Sequence, residues 1–501
     1  MATRAPLAAL LLAVPTSLWA QEPAPLSAID WLNQTPTVTL QLEEPPVSAG
    51  VETPTISVDT LDDPGRNAVG LLPPHMTGLP QTLWQNSQSD RLGALIAGAR
   101  PELVPATQAL LYTLLLAEAN PTTDPAGPDA MLLTRIDKLM EMGALDQAEA
   151  LIDRAGPDTP ALFERWLDIT LLLGREDRAC ARLAKSPHLA PNYATRVFCT
   201  ARAGEWSAAV LTLGTANALG LLTAEEDALL ARFLDPDLFE GDPLDVATGT
   251  ITPLTFRLYE AIGEARPTTG LPRPFAHADL RETAGWKARL DAAERLARTG
   301  ALPANRLLGI YSEGKPSASG MIWDRVAAVQ AFDRAIEAQD ANAVADTLPS
   351  AWSAMQSVHL EVPFARLYGE RLLRLKLTGV SARLARDVAL LSPAYELAAK
   401  SGPRDFLAGL AMGSPPRTPT NPLHRAIADA FHDAGVPQDI STMLVRGQLG
   451  EVILRAMDQM EAGASGDLAA LTNALAIFRA VGLEDTARRA SLQAALLDFR
   501  G

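Results

Sequence analysis

The feature that most constrains this chain is a glycine followed five residues later by an alanine, recurring about every thirty residues. Met140-Glu141-Met142-Gly143-Ala144-Leu145-Asp146-Gln147-Ala148 shows it first. Leu172-Leu173-Gly174-Arg175-Glu176-Asp177-Arg178-Ala179 repeats it, as does Ala203-Gly204-Glu205-Trp206-Ser207-Ala208-Ala209. Val481-Gly482-Leu483-Glu484-Asp485-Thr486-Ala487 returns to it near the end. A glycine lets one helix end in a left-handed cap and the chain turn tightly. A small residue on the next helix then lets the two backbones approach closely. Such a period predicts helix–turn–helix units packed side by side. Composition agrees: apolar residues are 48% of the chain but aromatics only 5%, which suits closely packed helices better than sheets.

The pattern resembles tetratricopeptide-like repeats, clearly over residues 129–215 and weakly over 325–350 and 470–497. The aromatic positions are thinly filled and the proline closing each unit is irregular. The resemblance implies an architecture, a right-handed α-solenoid of stacked hairpins, and the protein-binding role common to such scaffolds. The expected fold class is therefore all-α, with an extended Pro-rich leader in front.

Five segments are expected. Residues 1–20 read as a signal peptide. Arg4 is a basic start, Ala5 to Val14 is apolar, and Leu18-Trp19-Ala20 offers a cleavage site before Gln21. The apolar run is too short to span a bilayer, and no cysteine follows it to carry lipid. Residues 21–85 form an acidic leader with ten prolines; Thr37–Leu42 and Ile56–Asp59 alternate like short strands. It is either a solvated, disordered stretch or a strap lying on the helical body; Trp31, Trp84 and Val69-Gly70-Leu71-Leu72 suit the strap. Residues 86–235 form the first helical array. Residues 236–275, rich in Pro and Gly, are an irregular connection, and residues 276–501 are a second array.

Net charge is −16, so nucleic acid is a poor partner. Arg outnumbers Lys 37 to 6, as in GC-rich bacterial coding sequences. No transmembrane span is expected in the mature chain, which reads as periplasmic. In that oxidising compartment the two cysteines, Cys180 and Cys199, read as one disulfide. They lie on consecutive predicted helices, equidistant from the turn at 186–191, and so level with each other.

Catalytic signals are weak. Ser312-Glu313-Gly314-Lys315 and Lys400-Ser401-Gly402 resemble the S-x-x-K and K-T-G elements of penicillin-binding enzymes. The serine, however, falls in a Gly/Pro/Ser loop rather than at a helix start, and Lys400 ends a helical stretch rather than lying on a strand. His424 and His432, eight residues apart, are too far separated to share one ion without other ligands. Glu313 is a nominal glycosidase acid that nothing singles out. No cofactor is expected, and no phosphate-binding glycine loop is found. Trp286, Trp323 and Trp352 read as core residues of amphipathic helices.

The densest basic stretch, Arg366, Arg371, Arg374, Lys376, Arg383 and Arg386, reads as a solvated face or as a docking face for an acidic partner, the chain's own Glu43, Glu44, Asp62 and Asp63 included. The expectation is thus a non-catalytic scaffold, or protein- or peptide-binding protein, of the bacterial envelope, with a protein or peptide partner there. The alternatives are a wall-active hydrolase or transferase and an accessory glycan- or solute-binding protein.

Overall fold

A computed structural model describes residues 65–497 apart from 125, 126, 128, 245–248 and 317. The chain divides into two units, 1–35 and 36–501; the first lies wholly outside the described residues. So do the signal-like segment, the two alternating stretches, Trp31 and the acids Glu43, Glu44, Asp62 and Asp63.

The fold is all-helical, 67% helix with no strand among the described residues. The first run of helices is α1 (Pro74–Thr77), α2 (Ser89–Gly98), α3 (Pro105–Leu116), α4 (Ala130–Glu141), α5 (Leu145–Ala155), α6 (Pro160–Leu173), α7 (Glu176–Lys185), α8 (Tyr193–Arg202), α9 (Trp206–Ala218) and α10 (Ala224–Leu234). Next come α11 (Pro253–Ala261), α12 (Ala276–Asp279), α13 (Trp286–Arg298), α14 (Ala304–Tyr311), α15 (Ile322–Glu337), α16 (Ala341–Gln356), α17 (Glu361–Leu373) and α18 (Gly379–Leu390). The chain ends with α19 (Tyr395–Ser401), α20 (Phe406–Ala411), α21 (Pro422–His432), α22 (Gln438–Val445), α23 (Leu449–Ala464), α24 (Leu468–Ala480) and α25 (Glu484–Leu496).

The glycine elbows are alike. Gly143, Gly174, Gly204 and Gly482 all have φ between 71° and 85°, a region costly to any residue with a Cβ. At Gly174 the glycine N–H donates to the Leu171 carbonyl and the following Arg175 N–H to Thr170, closing the last turn of α6. The corresponding bonds close α4, α8 and α24. The alanines five residues on, Ala148, Ala179, Ala209 and Ala487, are fully buried.

Sequential helices pack on their neighbours from α4 to α10, and then the chain turns back. Helix α11 lies on α6, and α12 also packs there. His277 donates from Nε2 to the Gly143 carbonyl at 2.6 Å, and Thr299 Oγ1 donates to Met142 at 2.8 Å. Burial holds the His277 ring below its ordinary pKa. The last helices meet the first ones: α23 lies on α2 and α25 on α3. Val104 N–H and Thr107 Oγ1 both donate to Glu461, and Ala106 N–H donates to Gln493. Burial raises the Glu461 pKa against these bonds.

Residues 65–85 form a strap on this body. Leu72, Leu79, Leu83 and Trp84 are buried, and Leu72 bridges Ala117 in parallel. Trp84 seats against Gly450 at the start of α23, where Gly450 N–H donates to the Leu83 carbonyl at 3.0 Å. A Cβ at Gly450 would meet the indole ring and lie 2.8 Å from that carbonyl. Gly450→Ala is therefore expected to destabilise the fold by about 1–3 kcal/mol through overpacking. A denaturant midpoint equal to wild type would show that the strap gives way freely there.

Candidate interaction surface

Helix α9 begins at the Gly204 elbow and ends at Gly220, again with positive φ. The chain turns back after α10 to reach α6, and among the described residues α8 and α10 are the helices that pack closely on α9. Phe233 of α10 stacks on Phe198 of α8 at 5.6 Å and meets Trp206 at 6.0 Å, which sets the C-terminal end of α10 beside the N-terminal end of α9.

An outward helix of a folded body ordinarily carries a polar face. This one carries no charge at all from Trp206 to Ala224. Only Ala209 and Ala216 of α9 are buried. Of the twelve large apolar residues exposed among the described residues, six lie here: Trp206 (48% exposed), Val210 (53%), Leu211 (71%), Leu219, Leu221 and Leu238. Ser207, Leu211, Gly214 and Ala218 follow at helical spacing down the centre of the exposed side. Ser207, Thr215 and Asn217 are exposed among them, so the side is uncharged and rich in apolar groups rather than uniformly apolar, and a concentration of exposed apolar side chains marks interaction sites.

The electrostatics of this end differ from those next to it. From α4 to α8 the acids of one hairpin are paired with arginines of the next: Asp137 with Arg165, Asp146 and Glu149 with Arg175, Glu149 and Asp153 with Arg178, Asp158 with Arg182, and Asp177 with Arg202. The ladder stops there. Glu205, Glu225, Glu226, Asp227, Asp235, Asp237, Glu240 and Asp242 have no ion-pair partner among the described residues. The one base in this stretch, Arg232, donates to the carbonyls of Ala228 and Pro243 and covers the Phe239 ring.

The other sequence candidates fall elsewhere. Cys180 on α7 and Cys199 on α8 form a disulfide with Cα atoms 4.9 Å apart. The basic stretch lies on α17, α18 and the turn between them, and half of it is engaged. Arg371 pairs with Glu337 at 2.7 Å, Arg374 with Glu370 at 2.5 Å, and Arg386 bidentately with Asp405 at 2.6 and 2.8 Å. The last pair holds the Asp405 carboxyl below its usual pKa and raises that of Arg386. Arg366, Lys376 and Arg383 are exposed and carry no ion pair.

Ser312 caps the end of α14, its hydroxyl donating to its own Leu308 carbonyl, and Glu313 pairs with Arg289. Lys400 stands near the end of α19 and Ser401 donates to Ala398. His424 stacks flat on Phe406 at 4.0 Å, and His432 donates to the Pro415 carbonyl. No group of three metal-ligating side chains converges among the described residues. Trp352 is core; Trp286 and Trp323 are half-buried and pack on each other at 5.2 Å, with the Trp286 indole donating to Ile310. No helix among the described residues is long and apolar enough to cross a membrane.

The chain matches no family model, no curated protein and no solved structure. The reading of the surface therefore rests on its own geometry.

Proposed function

We propose that this chain is an exported, non-catalytic scaffold of the bacterial envelope, built as a tetratricopeptide-like α-solenoid, that binds a protein or peptide segment. The observation that carries this reading is the exposed, uncharged face of α9, rich in apolar groups. In stacked-hairpin proteins the terminal repeat normally presents a polar outer side, because nothing further covers it. Here α9, within the run from α4 to α10, is uncharged and turns most of its side chains outward, which fits a surface completed by a partner. The signal-like start at residues 1–20 supports export, and the Cys180–Cys199 bond fits an oxidising compartment.

The test places a photo-crosslinking residue at Leu211 in cells that make the full chain. A discrete adduct in the periplasmic fraction, lost when Val210→Asp is added, is the expected result. Leu211 and Val210 are both more than half exposed, so these changes should leave the unfolding free energy within about 0.5 kcal/mol of wild type. Recovery of the chain from the cytoplasm with Met1 intact would refute export. An α9 that crosslinks to nothing would refute the binding surface.

A further inference from the structure

Resting on that reading, we infer that the α9 face receives a basic amphipathic helix, an apolar stripe of about four turns flanked at both ends by Lys or Arg. Three observations define this occupant. The first is shape. Helix α9 has 13 residues and so runs about 20 Å. The centre of its exposed side, Ser207, Leu211, Gly214 and Ala218, is a row of small side chains broken by one leucine. Gly214 is the informative member. A glycine inside a helix costs about 1 kcal/mol relative to alanine. A Cβ there would meet open space: apart from its own helix backbone and chain neighbours, no atom of the described residues comes within 4 Å. No contact among the described residues requires it, whereas a second backbone laid along α9 would.

The second observation is the broken ladder. Each hairpin from α4 to α8 offers acids that arginines of the next hairpin neutralise, and the last such pair is Arg202 with Asp177. Beyond it, Glu205, Asp235 and Asp237 gather at the Trp206 end of α9. Glu225, Glu226 and Asp227 stand at the other end, in the first turn of α10, where Glu225 accepts from the Tyr259 hydroxyl and Glu226 from Thr223, and none of the three is in an ion pair among the described residues. A helix that takes the place of the missing next hairpin meets carboxylates at both of its ends.

The third is exclusion by charge. Residues 203–250 hold nine acids and one arginine. A second copy docking through the same face would set these acids against each other, because a two-fold interface pairs each patch with itself. The chain's own residues 21–64 hold eight acids and no base, so they carry the wrong sign. An anionic lipid surface is repelled for the same reason. A cationic, apolar helix satisfies both the face and its rim.

The probe is a pair of labelled synthetic helices of about eighteen residues, with one Leu/Ala stripe in common and Lys at the ends of one but Glu at the ends of the other. Binding to the full chain is read by fluorescence anisotropy. The Lys peptide should bind at least ten-fold more tightly than the Glu peptide, and the difference should shrink as salt rises. Leu211→Asp should weaken the Lys peptide at least ten-fold. A merely electrostatic contact would be unchanged or strengthened by that added acid, so either of those results overturns the inference.

Gly214→Leu, which fills the row without changing charge, should weaken the peptide to a similar degree. Equal binding of both peptides overturns the basic-partner inference and leaves the docking surface standing. No binding of either peptide, with the Leu211 crosslinker joining a second copy or residues 21–64 instead, overturns the inference and names the other occupant. Circular dichroism of Leu211→Asp and Gly214→Leu, unchanged from wild type, keeps these outcomes separate from unfolding.

Discussion

Replacing Arg135 by methionine is expected to lower the stability of the fold by about 3 kcal/mol and to free the strap at residues 65–72. Arg135 on α4 is completely buried and has no carboxylate partner among the described residues. Its guanidinium instead collects main-chain carbonyls: Leu115 at 2.7 Å, Ala117 at 3.1 Å, Val69 at 2.8 Å and Asn67 at 3.4 Å. The first two belong to the C-terminal end of α3, where unpaired carbonyls gather and the helix dipole is negative. The other two belong to the strap. One side chain therefore caps α3 and ties the strap to it.

Burial pushes the Arg135 pKa down to about 10, so the group is still charged at neutral pH. Methionine removes the desolvation of that charge but strands the carbonyls in the interior, at about 1–3 kcal/mol for each left unsatisfied. The relief of desolvation offsets part of that cost, and a net loss of about 3 kcal/mol is expected, in the range found when a buried charged group is removed from its partners. A lysine offers a single ammonium in place of a planar fork and should recover only part of the loss. The checks are a denaturant midpoint and tryptic cleavage after Arg66, which is half-buried in the strap. A wild-type midpoint together with unchanged cleavage would show that neither task belongs to Arg135.

The strap shows how far local patterns reach. Trp84 and the Val69–Leu72 run mark residues 65–85 as more than solvated linker, because apolar side chains there need something to cover them. What covers them is set by α3, α4 and α23, up to some 360 residues distant in the chain, and no spacing rule encodes that. The same holds for His277 and Gly143, which join the two halves across 134 residues. The elbows behave differently. Gly143, Gly174, Gly204 and Gly482 are legible because glycine is the cheap solution to a left-handed turn.

In the second half two elbows with the same pair of hydrogen bonds use Gln339 (φ 54°) and His359 (φ 55°). Their N–H groups donate to Ile336 and Gln356, and the following Asp340 and Leu360 donate to Ala335 and Met355. These side chains accept roughly 1–2 kcal/mol of backbone strain, and no glycine marks the turn. That is why the repeat looks weak over 325–350 although the geometry is the same. For α9 the sequence does carry the signal. A helix from Trp206 to Ala218 without one charged residue has no solvent face, yet its Gly204 and Ala209 draw attention only as another repeat.

Breaking the Cys180–Cys199 bond should be the second large effect, about 3 kcal/mol on the local opening of the unit formed by α7, α8 and α9. The bond closes a loop of 19 residues, and removing the loss of chain entropy that this imposes on the opened unit gives about that figure. Both cysteines are nearly buried, at 6% and 5% exposed, so reductant must wait for the hairpin to open. Helix α8 lies between α7, to which the disulfide holds it, and α9, whose elbow follows directly from it.

Loosening α8 therefore loosens the platform on which Trp206, Val210 and Leu211 stand, while α23 to α25, far along the chain and packed on α2 and α3, should be untouched. Hydrogen exchange on Cys180→Ala/Cys199→Ala would show faster exchange across residues 176–218 and wild-type protection across 449–496. It should be accompanied by weaker binding of any partner of α9, although no mutated residue touches that face. If exchange rises evenly over the whole chain, the disulfide acts only on the unfolded state; if it rises nowhere and the unfolding midpoint stays put, the hairpin is held by packing alone and the bond is dispensable.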